Sequence, residues 1–204
     1  MKRNLIVLIM TIMILGLTVQ AHAALSYTMN NFQSLGPEYA SGEISGTLSG
    51  DMNMNPMYSF CVNASADLYE GQPYSGTLTS IAGNTGLMEA AYLMNTYVPK
   101  NSALTDVNQG VALQWAIWQL IGQGNYITAN GLNNTYSSVY TQSGQYVLDA
   151  QSASNLAQYA GEYETLSLAG SQSLMFVPTP IPAAAYLFGS GFLGLVGIRR
   201  KIQN

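Results

Sequence analysis

Residues 110–122 read Gly-Val-Ala-Leu-Gln-Trp-Ala-Ile-Trp-Gln-Leu-Ile-Gly, and their apolar side chains fall on every side of a helix. A helix that is apolar all round is either a membrane span or the buried centre of a core. This run is shorter than the about 20 residues that a span requires, so we predict the central helix of a folded domain, with its N-cap at Thr105 or Asp106. Gln114 lies in the middle of this run. Burying its carboxamide without partners would cost about 1–3 kcal/mol, so a neighbouring group must satisfy this amide or react with it.

Strands are predicted on both sides of this helix. Alternating apolar and polar residues predict strands over residues 25–29, 43–48, 57–62, 164–168 and 173–177. Helical spacing predicts helices over residues 87–97 and 144–159, whereas residues 67–86 are interpreted as a looser segment and residues 124–143 as an exposed insertion. Strands, then helices, then strands predict an α+β domain, with two or three central helices around the buried apolar helix and C-terminal strands that close it.

The first 23 residues have the features of a secretory signal peptide. Lys2 and Arg3 precede an apolar run over residues 5–19, and Ala21-His22-Ala23 ends the segment. A charged start, an apolar middle and an Ala-x-Ala end are typical of a cleaved export signal. We therefore predict that the secretion machinery exports the chain and that the exported domain spans residues 24–177.

Residues 178–204 form a second targeting segment. Pro178, Thr179 and Pro180 open it, and an uncharged apolar run over residues 181–198 follows. The segment ends in the basic residues Arg199, Arg200 and Lys201. The apolar run is barely long enough for a helix to cross a bilayer of ~30 Å, and the basic residues behind it predict a cytoplasmic C-terminus. An ordinary C-terminal anchor would give nearly the same topology.

This tail resembles the PEP-CTERM class of sorting signals. The likeness is to the variant with a Pro-Ala-Ala, Leu-Phe-Gly-Ser-Gly and Leu-Gly-Leu core, which stands here within residues 182–195. The resemblance implies processing by an exosortase after transient anchoring in the inner membrane. It also implies delivery to the cell surface or to the exopolysaccharide matrix. Thr179 stands where the family has a Glu between the two prolines, which leaves the position of the cut open.

The charge of the predicted domain argues against several classes of function. Residues 24–177 contain all 10 Asp and Glu residues of the chain but only one basic residue, Lys100. This acidic balance argues against binding to nucleic acid or to anionic membrane surfaces. The only histidine, His22, lies in the signal peptide, so the exported domain can hold neither a His-based triad nor a His-containing metal site. We predict no metal and no cofactor.

Cys61 is the only cysteine of a chain predicted to be exported, so no internal disulfide can form. A single cysteine there is a small buried apolar residue, an intermolecular partner or a reactive group. Phe60-Cys61-Val62 on a strand, followed by Leu113-Gln114-Trp115-Ala116-Ile117-Trp118 on a helix, is similar to the thioester domains of bacterial surface adhesins.

This second resemblance implies an internal thioester, in which Cys61 supplies the sulfur and Gln114 the acyl group, with Phe60 and Trp118 in its pocket. Attack of the thiolate on the amide carbon would release ammonia. An amine or hydroxyl on a surface, or on a polymer such as exopolysaccharide, could then displace Cys61. Two features differ from the family, namely the short separation of Cys61 from Gln114 and the bulky Trp115.

Two other functions stay open. An inert Cys61 would leave a non-catalytic structural protein of the biofilm or exopolysaccharide matrix, with the same sorting tail. A glycosidase needs two acids at a fixed separation, and the spacing of Asp67, Glu70 and Glu89 does not pair any two of them. We therefore do not predict an enzyme.

Overall fold

The computed structural model describes residues 25–36, 41–50, 52–99 and 102–178. Within these ranges there are six strands: β1 (Leu25–Ser34), β2 (Ser41–Ser49), β3 (Met54–Cys61), β4 (Pro73–Ser80), β5 (Glu164–Leu168) and β6 (Ser173–Phe176). Five α-helices lie between the fourth and fifth strands: α1 (Thr85–Tyr97), α2 (Val107–Leu120), α3 (Asn125–Ala129), α4 (Leu132–Thr135) and α5 (Ser137–Ser152). A 3-10 helix, Leu156–Gly161, leads from α5 to β5.

The six strands close one antiparallel barrel, in the order β1-β2-β3-β6-β5-β4. The N-terminal and C-terminal strands therefore belong to one sheet, in which β3 pairs with β6 and β4 pairs with both β1 and β5. The predicted α+β fold class is wrong. Side-chain alternation reveals a strand and its buried face, but it does not reveal which distant strands exchange main-chain hydrogen bonds.

β4 was predicted as part of a looser segment, and this prediction is also wrong. Its side chains alternate between half-buried and exposed, so the sequence carries no apolar period that would reveal a strand. Main-chain pairing with the strands on both sides holds β4 in place. Gly76 lies opposite Leu25 of β1 on one side and opposite Leu168 of β5 on the other. The barrel closes through this polar strand.

α2 is the buried helix that the opening stretch predicts, and that prediction is confirmed. The Asp106 carboxylate accepts a hydrogen bond from the main-chain N–H of Asn108, 2.9 Å away, and caps the helix. Every residue from 110 to 118 is buried. The helix packs against β1, β2 and β3 of the barrel and against α1 and α5, so it lies between the barrel and these two helices.

Two glycines let the main chain of α2 approach β2. A methyl group on Gly42 would lie 2.6 Å from the carbonyl carbon of Gly110 and 2.8 Å from the nitrogen of Val111. Both distances are well inside van der Waals contact. The absence of a side chain at residue 42 therefore sets the depth at which the helix, and Gln114 with it, rests on the barrel.

The predicted exposed insertion over residues 124–143 is wrong, because this segment forms α3, α4 and the first part of α5. Ile127, Leu132 and Val139 anchor it in the core. One buried side chain in each short helix is too few to produce a helical period in the sequence. The helix predicted over residues 144–159 is found in part, as the second half of α5 and the start of the 3-10 helix.

The predicted targeting segments lie almost wholly outside the described residues. The signal peptide falls within residues 1–24, and the tail from Thr179 to its basic end falls within residues 179–204. Only Pro178 of the predicted sorting signal is described. Among the helices in the described ranges, none combines the length and the apolar character needed to cross a membrane.

Candidate functional site

Cys61 is the last residue of β3, and its side chain is only 3 % exposed. It is a free cysteine. Burial raises the pKa of its thiol well above the ordinary value, because the thiolate would lose its hydration. The buried thiol therefore keeps its proton more firmly than an exposed cysteine does.

Gln114 of α2 lies beside the main chain of Cys61. Its side-chain oxygen accepts a hydrogen bond from the Cys61 N–H at 2.8 Å, and its side-chain nitrogen donates one to the Cys61 carbonyl at 2.7 Å. The Gln114 side chain is 1 % exposed, so these two bonds satisfy the buried amide that the sequence left without a partner. Gln114 fastens the end of β3 to the central helix.

Gln172 is the residue whose side chain meets the sulfur. The Cys61 thiol donates a hydrogen bond to the side-chain oxygen of Gln172. The pairing of β3 with β6 explains this contact, because Cys61 lies opposite Leu174 and the Val62 N–H donates to the Ser173 carbonyl at 2.8 Å. Gln172 was not among the site residues predicted from the sequence. The only local signal was its position directly before the last predicted strand, which does not reveal that this strand pairs with β3.

An open cleft of about 230 Å³ leads to the Cys61 thiol, and Cys61, Gln114 and Gln172 all line this cleft. Exposed side chains border the cleft as well. Tyr69 is 59 % exposed and Phe32 is 39 % exposed. The cleft is large enough for a small nucleophile or the end of an extended side chain, but it does not enclose a large ligand.

Hydrogen bonds hold the chain segments that border the cleft. The Ala64 N–H donates to the side-chain oxygen of Gln123 at 2.5 Å, which connects the segment after β3 with the turn that follows α2. The Ser171 hydroxyl donates to the Asp67 carbonyl and so connects the residue next to Gln172 with the rim. These bonds connect the segments next to Cys61 and Gln172 with the end of the helical region and with the rim of the cleft.

The two predicted pocket residues differ in their surroundings. Trp118 lines the cleft and is 3 % exposed, and its indole N–H is buried without a hydrogen-bond partner in the structure. Phe60 is fully buried in the hydrophobic core. Phe60 therefore supports the strand that carries Cys61, whereas Trp118 lies at the site.

The carboxylates considered for a glycosidase are split between two parts of the molecule. Asp67 and Glu70 line the cleft and are exposed, whereas Glu89 lies on α1. Within the part of the chain that the structure describes, no three His, Cys, Asp or Glu side chains gather where they could hold a metal ion. The acidic pair in the cleft therefore gives the site negative charge beside a buried thiol and two amides.

Comparison with known proteins adds one structural likeness. No family model and no curated protein matches this sequence. The fold is similar to the N-terminal thioester domain of the fibronectin-binding protein SfbI from Streptococcus pyogenes, with a TM-score of 0.46 and 12 % sequence identity over 80 % of this chain and 97 % of that one. This neighbour belongs to the class of adhesin thioester domain that the sequence resembles.

Proposed function

We propose that this chain is an exported surface or matrix protein whose domain forms an internal thioester between Cys61 and Gln172. A nucleophile on a surface or polymer then opens this bond and becomes covalently attached. The contact that supports the proposal most directly is the hydrogen bond from the Cys61 thiol to the Gln172 carboxamide, at the open cleft.

In the first step the Cys61 sulfur adds to the side-chain carbonyl carbon of Gln172, and a tetrahedral intermediate forms. The carbon–nitrogen bond then breaks, the nitrogen leaves as ammonia with the former thiol proton, and a carbon–sulfur bond remains. Because the thiol already donates to the Gln172 oxygen, the proton can stay within the reacting pair without a histidine base.

The contacts favour Gln172 over Gln114 as the acyl donor. Both polar atoms of the Gln114 amide bind the main chain of Cys61. A thioester at Gln114 would release the side-chain nitrogen as ammonia and leave the buried Cys61 carbonyl without its donor, at a cost of about 1–3 kcal/mol. We therefore assign Gln114 the role of positioning Cys61. The thioester predicted between Cys61 and Gln114 remains the competing prediction.

The rim of the cleft favours a cationic amine over a neutral hydroxyl as the attacking group. The exposed carboxylates of Asp67 and Glu70 attract an ammonium ion to the cleft. The other acidic residues of the domain make the electrostatic potential there more negative. The deprotonated amine adds to the acyl carbon of Gln172 and loses its second proton as the sulfur leaves. An amide bond to the target forms, and the Cys61 thiol is restored.

Export and sorting by an exosortase are part of the proposal, and the sequence alone supports them. Residues 1–23 have the features of a signal peptide, and residues 178–204 have the Pro-x-Pro start and basic end of a sorting tail. A protein delivered in this way to a cell surface or an exopolysaccharide matrix would meet amine-bearing targets outside the cell.

A second candidate function is a non-catalytic structural matrix protein. The observation that favours it is the near-complete burial of Cys61, which is also what an inert core cysteine shows. In this case the thiol remains free, and the cleft binds a polymer without covalent attachment.

Intact mass spectrometry of the chain, purified without reductant, separates these functions. The thioester predicts a mass that is one ammonia lighter than calculated, and methylamine treatment should convert it to the methylamide. Peptide mapping then places N-methylglutamine at residue 172 or at residue 114. Cys61→Ser is the control and should keep its full mass with and without methylamine. A full mass for the wild-type chain, with a Cys61 that alkylates after unfolding, supports the structural matrix protein.

A further inference from the structure

Trp118 carries a polar group, its indole N–H, that makes no hydrogen bond in the part of the chain that the structure describes. Its side chain is 3 % exposed, and its indole N–H has no acceptor. This N–H can only donate a hydrogen bond. A buried donor without a partner is uncommon in folded proteins and calls for an explanation.

Trp118 lines the cleft that contains Cys61 and Gln172. Trp118 follows Gln114 by four residues on α2, so the two side chains leave the same face of the helix one turn apart. Gln114 holds the main chain of Cys61. The ring of Tyr126 meets the Trp118 ring edge-on, with centroids 6.3 Å apart, and limits its rotation.

The main-chain N–H of Cys61 is already in use, because it donates to the Gln114 oxygen. That N–H would otherwise be the obvious donor toward an oxygen that forms next to the sulfur. We infer that the indole N–H of Trp118 donates a hydrogen bond to the carbonyl oxygen of the Cys61–Gln172 thioester, and that this bond strengthens when the oxygen becomes negatively charged. This role rests on the thioester between Cys61 and Gln172 proposed above.

A tetrahedral intermediate of the same kind occurs when the thioester forms and when an amine opens it. When the Cys61 sulfur or an incoming amine adds to the acyl carbon, the carbonyl π electrons move onto the oxygen. When the carbonyl re-forms, either ammonia or the sulfur leaves. A donor held in a water-poor site stabilises that oxygen more than it stabilises the neutral carbonyl, and the loss of one such donor slows acyl transfer by roughly 10²–10³-fold. Trp118 would therefore accelerate both formation and opening of the thioester.

The test replaces one N–H group in the full chain. Site-specific incorporation of benzothienylalanine at residue 118 keeps the bicyclic ring and exchanges the N–H for sulfur. The matched control carries the same replacement at Trp115, whose ring lies on the same helix against Tyr136 and Tyr140. Intact mass follows the loss of ammonia after synthesis and the rate of opening by methylamine.

We expect opening to slow by roughly 10²-fold with the replacement at residue 118 and to stay near the wild-type rate with the replacement at residue 115. A chain that loses no ammonia when residue 118 is replaced, but does when residue 115 is replaced, also supports the inference. Opening at the wild-type rate with the replacement at residue 118 would overturn the donor role and leave the thioester standing. A wild-type chain of full mass would overturn both proposals.

A spectroscopic readout separates the donor role from a packing role. In nitrogen-15 spectra, the Trp118 indole N–H signal should shift between the wild-type thioester and Cys61→Ser, because a carbonyl oxygen approaches it in the former. The Trp115 signal should stay in place. Equal spectra for Trp118 in the two proteins would count against the hydrogen bond.

Discussion

Gln114→Met tests whether the two hydrogen bonds to Cys61 position the site. Methionine nearly matches the length of glutamine and suits an apolar surrounding, but it neither accepts nor donates here as an amide does. The substitution removes bonds of 2.8 Å and 2.7 Å and leaves the N–H and carbonyl of Cys61 without these partners. Each buried unpaired group costs about 1–3 kcal/mol, and an apolar side chain in an apolar site offsets part of this, so we expect a net loss of about 2–4 kcal/mol.

A domain of this size loses about 2–4 °C in melting temperature for each kcal/mol, so Gln114→Met should melt roughly 5–15 °C lower than the wild type. Circular dichroism during heating measures the change. Gln109→Met is the matched control, because Gln109 lies on the same helix, is half-buried and makes one long side-chain bond of 3.5 Å to the Tyr97 carbonyl. An unchanged melting temperature for Gln114→Met would refute the positioning role.

The same variant bears on the identity of the acyl donor. If Gln172 supplies the acyl group, folded Gln114→Met still loses ammonia, although more slowly because Cys61 is less firmly held. If Gln114 supplies it, the variant keeps its full mass. N-methylglutamine at residue 114 of the methylamine-treated wild type would refute the assignment of Gln172, whatever the variant does.

Three further predictions concern Gln172, the contact of Gly42 with α2, and the buried Glu43. Gln172→Ala should fold and keep its full mass, because no amide remains at the sulfur, and intact mass checks this. Gly42→Ala should lower the free energy of unfolding by about 1–3 kcal/mol in a urea titration, because the new methyl group would meet the Gly110 main chain 2.6 Å away. Burial raises the pKa of Glu43 to about 7. Stability should therefore fall as pH rises from about 4.5 to about 7, since the unfolded state loses its proton first, and Glu43→Gln should flatten this slope in melts across that range.

Each of these predictions has its own control or contradicting result. Loss of ammonia in Gln172→Ala would show that another amide reacts. Normal stability of Gly42→Ala would mean that α2 does not rest on β2 through the two glycines. A stability profile of Glu43→Gln that matches the wild type would assign the pH dependence to other carboxylates.

The strands and the central helix followed largely from local pattern. Residues 110–122 predicted a buried helix, and α2 is that helix. The polar β4 and the short α3 and α4 were not predicted, because few of their side chains are buried. The spacing of apolar residues in a sequence reveals an element only through its buried face. Tertiary contacts override weak local preference in such segments.

The sequence by itself determined that Gln114 is a buried amide in need of a partner and that Cys61 is the only sulfur available for acyl chemistry. Tertiary structure alone decided which amide reaches this sulfur. Gln172 is 111 residues from Cys61 along the chain, and the two meet because β6 pairs with β3 when the barrel closes. Strand pairing is a non-local property of the main chain, whereas the side-chain pattern of a sequence records only which face of each element is buried.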